Sequence, residues 1–307
     1  MICSNCKREG HNKRSCKNAT VPVLSPNIEV KTDVNNESES ETESEQDVEE
    51  EVKSDENDEP WEHILKFSNY KGESEFYITA KQMKECRKTH KGKASQFEPR
   101  LLAYQTSANA RPSILKIHGL SILPIENGKY VLLKAKIYKE LDYSCSDIIT
   151  IKKDESSLIL NIGNSETSLI DNLRYSGVFE RPEILGESIT HGPLLNGRHR
   201  CSMEMKIGTM SIKISSVQYE TDGCYESKNK VLLIEGKSSP SMIDSFNIRQ
   251  LYFPYREIIK VAVKKEVVCL FIHNLKDNIH IWKYSFTDIN QFDSIRLDGH
   301  YIYKFSL

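Results

Sequence analysis

The 307-residue chain sets 42 lysines and arginines against 44 aspartates and glutamates, a formal charge of −2, and is 38% hydrophobic, enough for a core. No apolar run approaches the ~18 residues of a membrane span, and no apolar segment follows Met1-Ile2-Cys3-Ser4, so neither spanning nor secretion is expected. Of eight cysteines, three fall in a metal motif and five are left that cannot all pair; this suits a reducing, intracellular setting in cytoplasm or nucleus.

The near-neutral total hides a division. Between Glu37 and Glu59 thirteen acids meet one lysine, whereas the first 18 residues hold five basic residues and one acid. Outside the acidic block a polyanionic partner therefore fits. Cys3-x2-Cys6-x4-His11-x4-Cys16 is a complete tetrahedral zinc set within 14 residues, with Gly10 to turn the histidine inward. A structural Zn²⁺ is expected there, and Lys7, Arg8, Lys13 and Arg14 are placed to neutralise phosphates. The segment resembles the zinc knuckles of retroviral nucleocapsids and of eukaryotic transposases, which implies contact with single-stranded nucleic acid or RNA. No aromatic residue lies inside its loop to stack on a base, and a protein-binding knuckle stays open.

Residues 19–59 alternate Ser and Glu through Glu37-Ser38-Glu39-Ser40-Glu41 and offer almost nothing to bury, so they read as a disordered acidic tether. Over 60–160 an α+β domain is expected. Thr79 has the position of an N-cap for a helix through Gln82, Met83 and Cys86, and a basic loop with Arg87, Lys88 and Lys93 follows. Residues 122–125 and 130–133 flank Asn127-Gly128 as a hairpin. A winged DNA-reading module and a plain α+β scaffold fit these elements equally.

Over 161–307, Leu169, Ile170 and Leu173 have helical spacing behind a Ser165 cap. Strands are expected near 202–207, 210–222 and 231–237, the last two as antiparallel neighbours. A helix is expected to open at Ser239-Pro240-Ser241, to carry Phe246, Ile248, Leu251 and Ile258, and to break near Pro254; strands at 267–273 and 279–286 complete the chain. Because strand side chains alternate, Glu220 pairs with Asp222 on one face, and Glu235 with Lys237. Carboxylates brought together this way repel unless a divalent cation such as Mg²⁺ sits between them, and a nearby lysine can then orient water or balance phosphate charge. A charged hairpin tip at the surface would use the same residues.

Asp222 followed by Glu235-x-Lys237 resembles the active site of the PD-(D/E)xK nucleases, with Thr221 where that motif has proline. The expected order of helix, three strands, helix and strand is that superfamily's core order. Phe97-Glu98-Pro99-Arg100-Leu101, Leu120-Ser121-Ile122-Leu123-Pro124-Ile125 and Asp244-Ser245-Phe246-Asn247-Ile248-Arg249-Gln250-Leu251-Tyr252 are similar to a family of predicted type II restriction endonucleases, across about 70–307. The resemblance implies an α+β fold with a restriction-endonuclease-like core and a Mg²⁺-dependent DNA endonuclease activity. Asp222 and Glu235 would hold the Mg²⁺, Lys237 would position the attacking hydroxide, and Gln250 would complete the site. Glu220 is a further candidate, and Glu166 is either a second-metal ligand or a solvated helix residue. A homodimer is one way to cut both strands. The rival expectations are a non-catalytic nucleic-acid-binding protein with a degenerate core, or a knuckle-led RNA or transposition factor.

Overall fold

Thr79 closes one element and starts the next: its hydroxyl accepts from the Gln82 amide while the Gln82 side chain accepts from the Thr79 N–H, a reciprocal capping box. The computed structural model describes residues 58–89, 97–144, 147–152 and 165–306. The zinc motif, its basic residues and the acidic segment up to residue 57 lie outside these. Strand β1 (Glu75–Thr79) precedes helix α2 (Ala80–Cys86), and helices α1 (Asp58–Phe67), α3 (Pro99–Ala103) and α4 (Ser113–Ile117) surround them. The expected hairpin is present as β2 (Ser121–Glu126) and β3 (Lys129–Leu133), with Gly128 at φ +68 in its turn. Trp61, Ile64, Met83, Phe97 and Leu115 pack with Ile122 and Leu132, on one face of the hairpin.

The following elements are β4 (Tyr138–Glu140), β5 (Ile148–Lys152), α5 (Glu166–Tyr175), β6 (Ile189–His191), β7 (His199–Ile207) and β8 (Met210–Tyr219). After them come β9 (Gly223–Ser227), β10 (Lys230–Lys237), β11 (Ser245–Asn247), α6 (Arg249–Val261), β12 (Glu266–Leu275), β13 (Asn278–Phe286) and β14 (Ile295–Ser306). Two large sheets result, ordered β1-β3-β2-β8-β7 and β5-β14-β13-β12-β10-β9-β6. The class is α+β. Helix α6 lies between the sheets: Leu251, Tyr252 and Phe253 share a core with Ile212 and Ile214 of one sheet and with Leu233 and Phe271 of the other. Helix α5 covers the outer face of the second sheet, where Leu169, Ile170 and Leu173 meet Leu232 and Ile234. Strand β10 is thus buried on both faces, which its unbroken run Val231-Leu232-Leu233-Ile234 requires.

Three expectations are corrected. The strand begun at Met210 stops at Tyr219 and pairs with β7 and, at Glu126, with β2; it is not the neighbour of β10. That neighbour is β9, joined to β10 by a two-residue turn at Lys228-Asn229, with Ile234 opposite Gly223. Alternation through Tyr219 correctly marks a strand with one wet face, but the chain changes sheets at Glu220-Thr221-Asp222, which alternation cannot register. Phe246 lies in β11, paired with β4 and stacked on Phe271 with ring centroids 4.3 Å apart, so the helix begins later than expected. Nor does Pro254 interrupt α6; residues 251–256 are buried on every side, and packing outweighs the one backbone donor the proline lacks.

Candidate active site

The end of β10 is where the sequence candidates meet. Odd positions of β10 face α6, so Glu235 follows Val231 and Leu233 toward that helix and is buried. Asp222 comes immediately before β9, next to the Gly223–Ile234 pair, and its Oδ2 accepts the Gly236 N–H at 2.7 Å. Gln250, second residue of α6, donates from Nε2 to Glu235 Oε1. Lys237 Nζ stands 3.3 Å from Glu235 Oε1 and donates to Glu166 Oε1 at 2.8 Å. The Ser165 cap, whose hydroxyl accepts from Ser168 N–H, fixes Glu166 in the first turn of α5.

Asp222, Glu235, Lys237 and Gln250 therefore converge, and Glu166 joins them. Glu220 does not: its carboxylate is exposed and accepts from Arg198 Nε at 3.0 Å and from Gln218 at 3.2 Å. Its position directly beyond a strand end, rather than within the strand, removes the face-sharing that alternation implied. Tyr255 is a core residue, packed on Phe286. The clearest residue that pattern reasoning undervalued is Glu166, for which the capping serine just before it was the available signal. His273, opposite Lys237 in the parallel β10–β12 ladder, is fully buried and hydrogen-bonded to Tyr143 Oη (2.7 Å) and the Ser239 carbonyl (2.9 Å). It tethers the segment that leaves Lys237.

Electrostatics follow from this crowding. Burial, then the neighbouring Asp222 charge, pushes the Glu235 carboxyl up to about 8 against the partial opposition of Lys237. Burial also raises the Asp222 carboxyl, with Lys237 and the Gly236 N–H pulling the other way. Burial alone would lower the Lys237 ammonium, but Glu235, Glu166 and Asp222 outweigh it, and the group is held above the ordinary lysine range. Lys237 is thus a fixed cation and not a base.

Mg²⁺ takes oxygen donors in a near-octahedral shell and keeps several waters. Two carboxylates resist losing their protons together, and Gln250 Oε1 is buried with no hydrogen-bond partner. All these donors are oxygens, the chemistry a hard divalent ion takes. Among the described residues no three His, Cys, Asp or Glu side chains form a ready ligand cage, so the protein offers Asp222, Glu235 and an amide oxygen, with water left to complete the shell. Those residues fit the ion. No helix among the described residues is long and apolar enough to cross a membrane.

Residues 133–304 match the family model "Domain of unknown function (DUF6997)", and residues 58–132 match "Domain of unknown function (DUF6996)". No curated protein and no solved structure matches the chain.

Proposed function

We propose that this chain, which belongs to the DUF6997 family, is a Mg²⁺-dependent DNA endonuclease of the PD-(D/E)xK kind, carrying a zinc knuckle as a second nucleic-acid-binding arm. The observation that supports it best is the meeting of Asp222, Glu235, Lys237 and Gln250 at one sheet end. Around that point α5 covers a sheet in which β6-β9-β10 are antiparallel and β10-β12 parallel, with α6 between β10 and β12 in the chain; β7 and β8, counted with β10 in the expected helix, three strands, helix and strand, belong to the other sheet.

Asp222, Glu235 and Gln250 Oε1 would hold the ion, which when bound neutralises phosphate charge and makes a water more acidic. Glu235 must first give up its proton, so its raised pKa sets a lower pH limit on that binding. The Lys237 ammonium, already donating to Glu166, is aimed to orient a water or a phosphate oxygen and to balance charge that grows on the phosphate. Glu166 holds the lysine in position. DNA is the partner at this site, and the knuckle residues Cys3, Cys6, His11 and Cys16 would bind Zn²⁺ and bring Lys7, Arg8, Lys13 and Arg14 to a single strand or RNA.

Nicking of supercoiled plasmid in Mg²⁺ or Mn²⁺, against chelator, tests the reading. Asp222→Ala and Glu235→Ala should each lower cleavage by about 10³-fold or more while DNA binding in chelator is kept. Wild-type cleavage rates in either variant would sink the assignment. One observation favours a second reading, a binding protein with a degenerate core: Glu166 is engaged by Lys237, and among the described residues no group of three His, Cys, Asp or Glu side chains forms an ion cage. That reading predicts DNA binding with no metal-dependent nicking.

A further inference from the structure

Strand β8 and the β2–β3 hairpin tip face the start of α6 across an open cleft of about 180 Å³. Glu126, Asn127, Tyr130, Gln218, Arg200 and Arg249 line it. The acid is neutralised where it stands, since Lys129 Nζ donates to it at 2.7 Å. Arg200 spends one N–H on the Ser216 carbonyl (2.8 Å) and keeps the rest of its fork. Arg249 differs: among the described residues its guanidinium makes no hydrogen bond and no ion pair, although the side chain is half-buried. Helix α6 adds to the positive character, because its first turn has no acid, and of its first N–H groups that of Arg249 is taken by Asn247 Oδ1 at 3.1 Å. A half-buried guanidinium with none of its N–H groups hydrogen-bonded is costly to keep, and an anion that pairs with it offsets that cost.

The geometry points to this cleft as the seat of a phosphate group, gripped by Arg249 and Arg200 and presented by the nucleic-acid backbone beside the cut bond. The seat stands on its own lining; its assignment to a phosphate next to the cleaved one rests on the nuclease reading. Planar guanidinium forks suit the paired oxygens of a phosphodiester, and amide and phenol donors at Asn127, Gln218 and Tyr130 suit its remaining oxygens.

The test is binding of a short labelled duplex to the full chain in chelator, across a range of salt. Arg249→Gln and Arg200→Gln should each reduce affinity and lower the slope of log affinity against log salt by about 1, as loss of one phosphate contact does. Arg249→Lys should keep most of the slope, and Arg296→Gln, whose arginine pairs with Asp298 on β14, should leave it unchanged. Unfolding midpoints of the variants check that each is folded. An equal loss on duplexes with and without 5′-phosphates supports a backbone phosphate. A loss confined to phosphorylated ends, relieved by inorganic phosphate, overturns the backbone assignment. Unchanged affinity and slope in both glutamine variants overturn the seat itself, even if Mg²⁺-dependent cleavage is present; conversely, arginine-dependent binding without cleavage leaves the seat and removes the nuclease.

Discussion

Glu235 links folding to proton uptake. Its carboxyl binds a proton more tightly in the folded chain, with a pKa near 8 against an ordinary 4.5. The stabilisation this gives is complete below about pH 4.5 and is lost as pH rises through about 8, because the unfolded chain ionises first. In chelator, wild-type stability should therefore fall across that window by up to about 1.4 kcal/mol per pH unit, with Asp222 contributing in the same direction. Glu235→Gln should flatten the decline and be the more stable protein at the alkaline end, and Mg²⁺ should flatten it for wild type. Urea titrations at both ends of the window check this; an unaltered pH profile in Glu235→Gln would show that the carboxyl is not desolvated.

At the level of elements, two glycines beside the site separate packing from chemistry. A methyl on Gly223 would come within 3.2 Å of the Tyr225 ring and 3.3 Å of Ile170 and Ile234, wedging α5 from the sheet next to Asp222. On Gly236 it would meet Ile170 at 3.5 Å and Asp222 Oδ2 at 3.8 Å, which are ordinary contacts. Gly223→Ala should thus lose about 1–3 kcal/mol of stability and impair nicking, whereas Gly236→Ala should lose less than about 1 kcal/mol. Chemical denaturation of the pair decides it, and equal losses would mean that α5 is not seated as described. Helix α6 is fixed at its middle, where Arg256 donates to Tyr252 Oη (2.8 Å) and to the Glu204 carbonyl (3.2 Å), so Gln250 is presented by an anchored element. Local patterns were legible here where a cap or turn is chemically specific: Thr79, Ser165 and Asn127-Gly128 all do what their residue types suggest. The partner of β10 was not legible, because residues 210–219 and 223–227 are both good strands and nothing local says which one pairs with it.

For the molecule as a whole, the proposed zinc ligands lie in the first 16 residues, outside the described ones, and the candidate site lies within the described residues 165–306. Replacing Cys3 and Cys6 together by serine should release one zinc per chain by metal analysis and weaken single-strand or RNA binding. The main unfolding transition should move by no more than about 0.5 kcal/mol. Zinc retained in that variant would dispose of the proposed ligand set.

By itself the sequence determined the chemical inventory: an α+β chain, a short strand carrying Glu235 and Lys237, an acid shortly before it, and a capped helix beginning with Glu166. Those follow from residue type and from periods of two and 3.6, which act over a few residues. Only the tertiary structure decided which acids meet. It put Asp222 against the Gly236 N–H and sent Glu220 to Arg198, although the two acids lie two residues apart. It also drew Glu166 onto Lys237 from 71 residues away. Such choices depend on how two sheets enclose one helix, and that free energy is a sum over distant contacts that no local pattern contains.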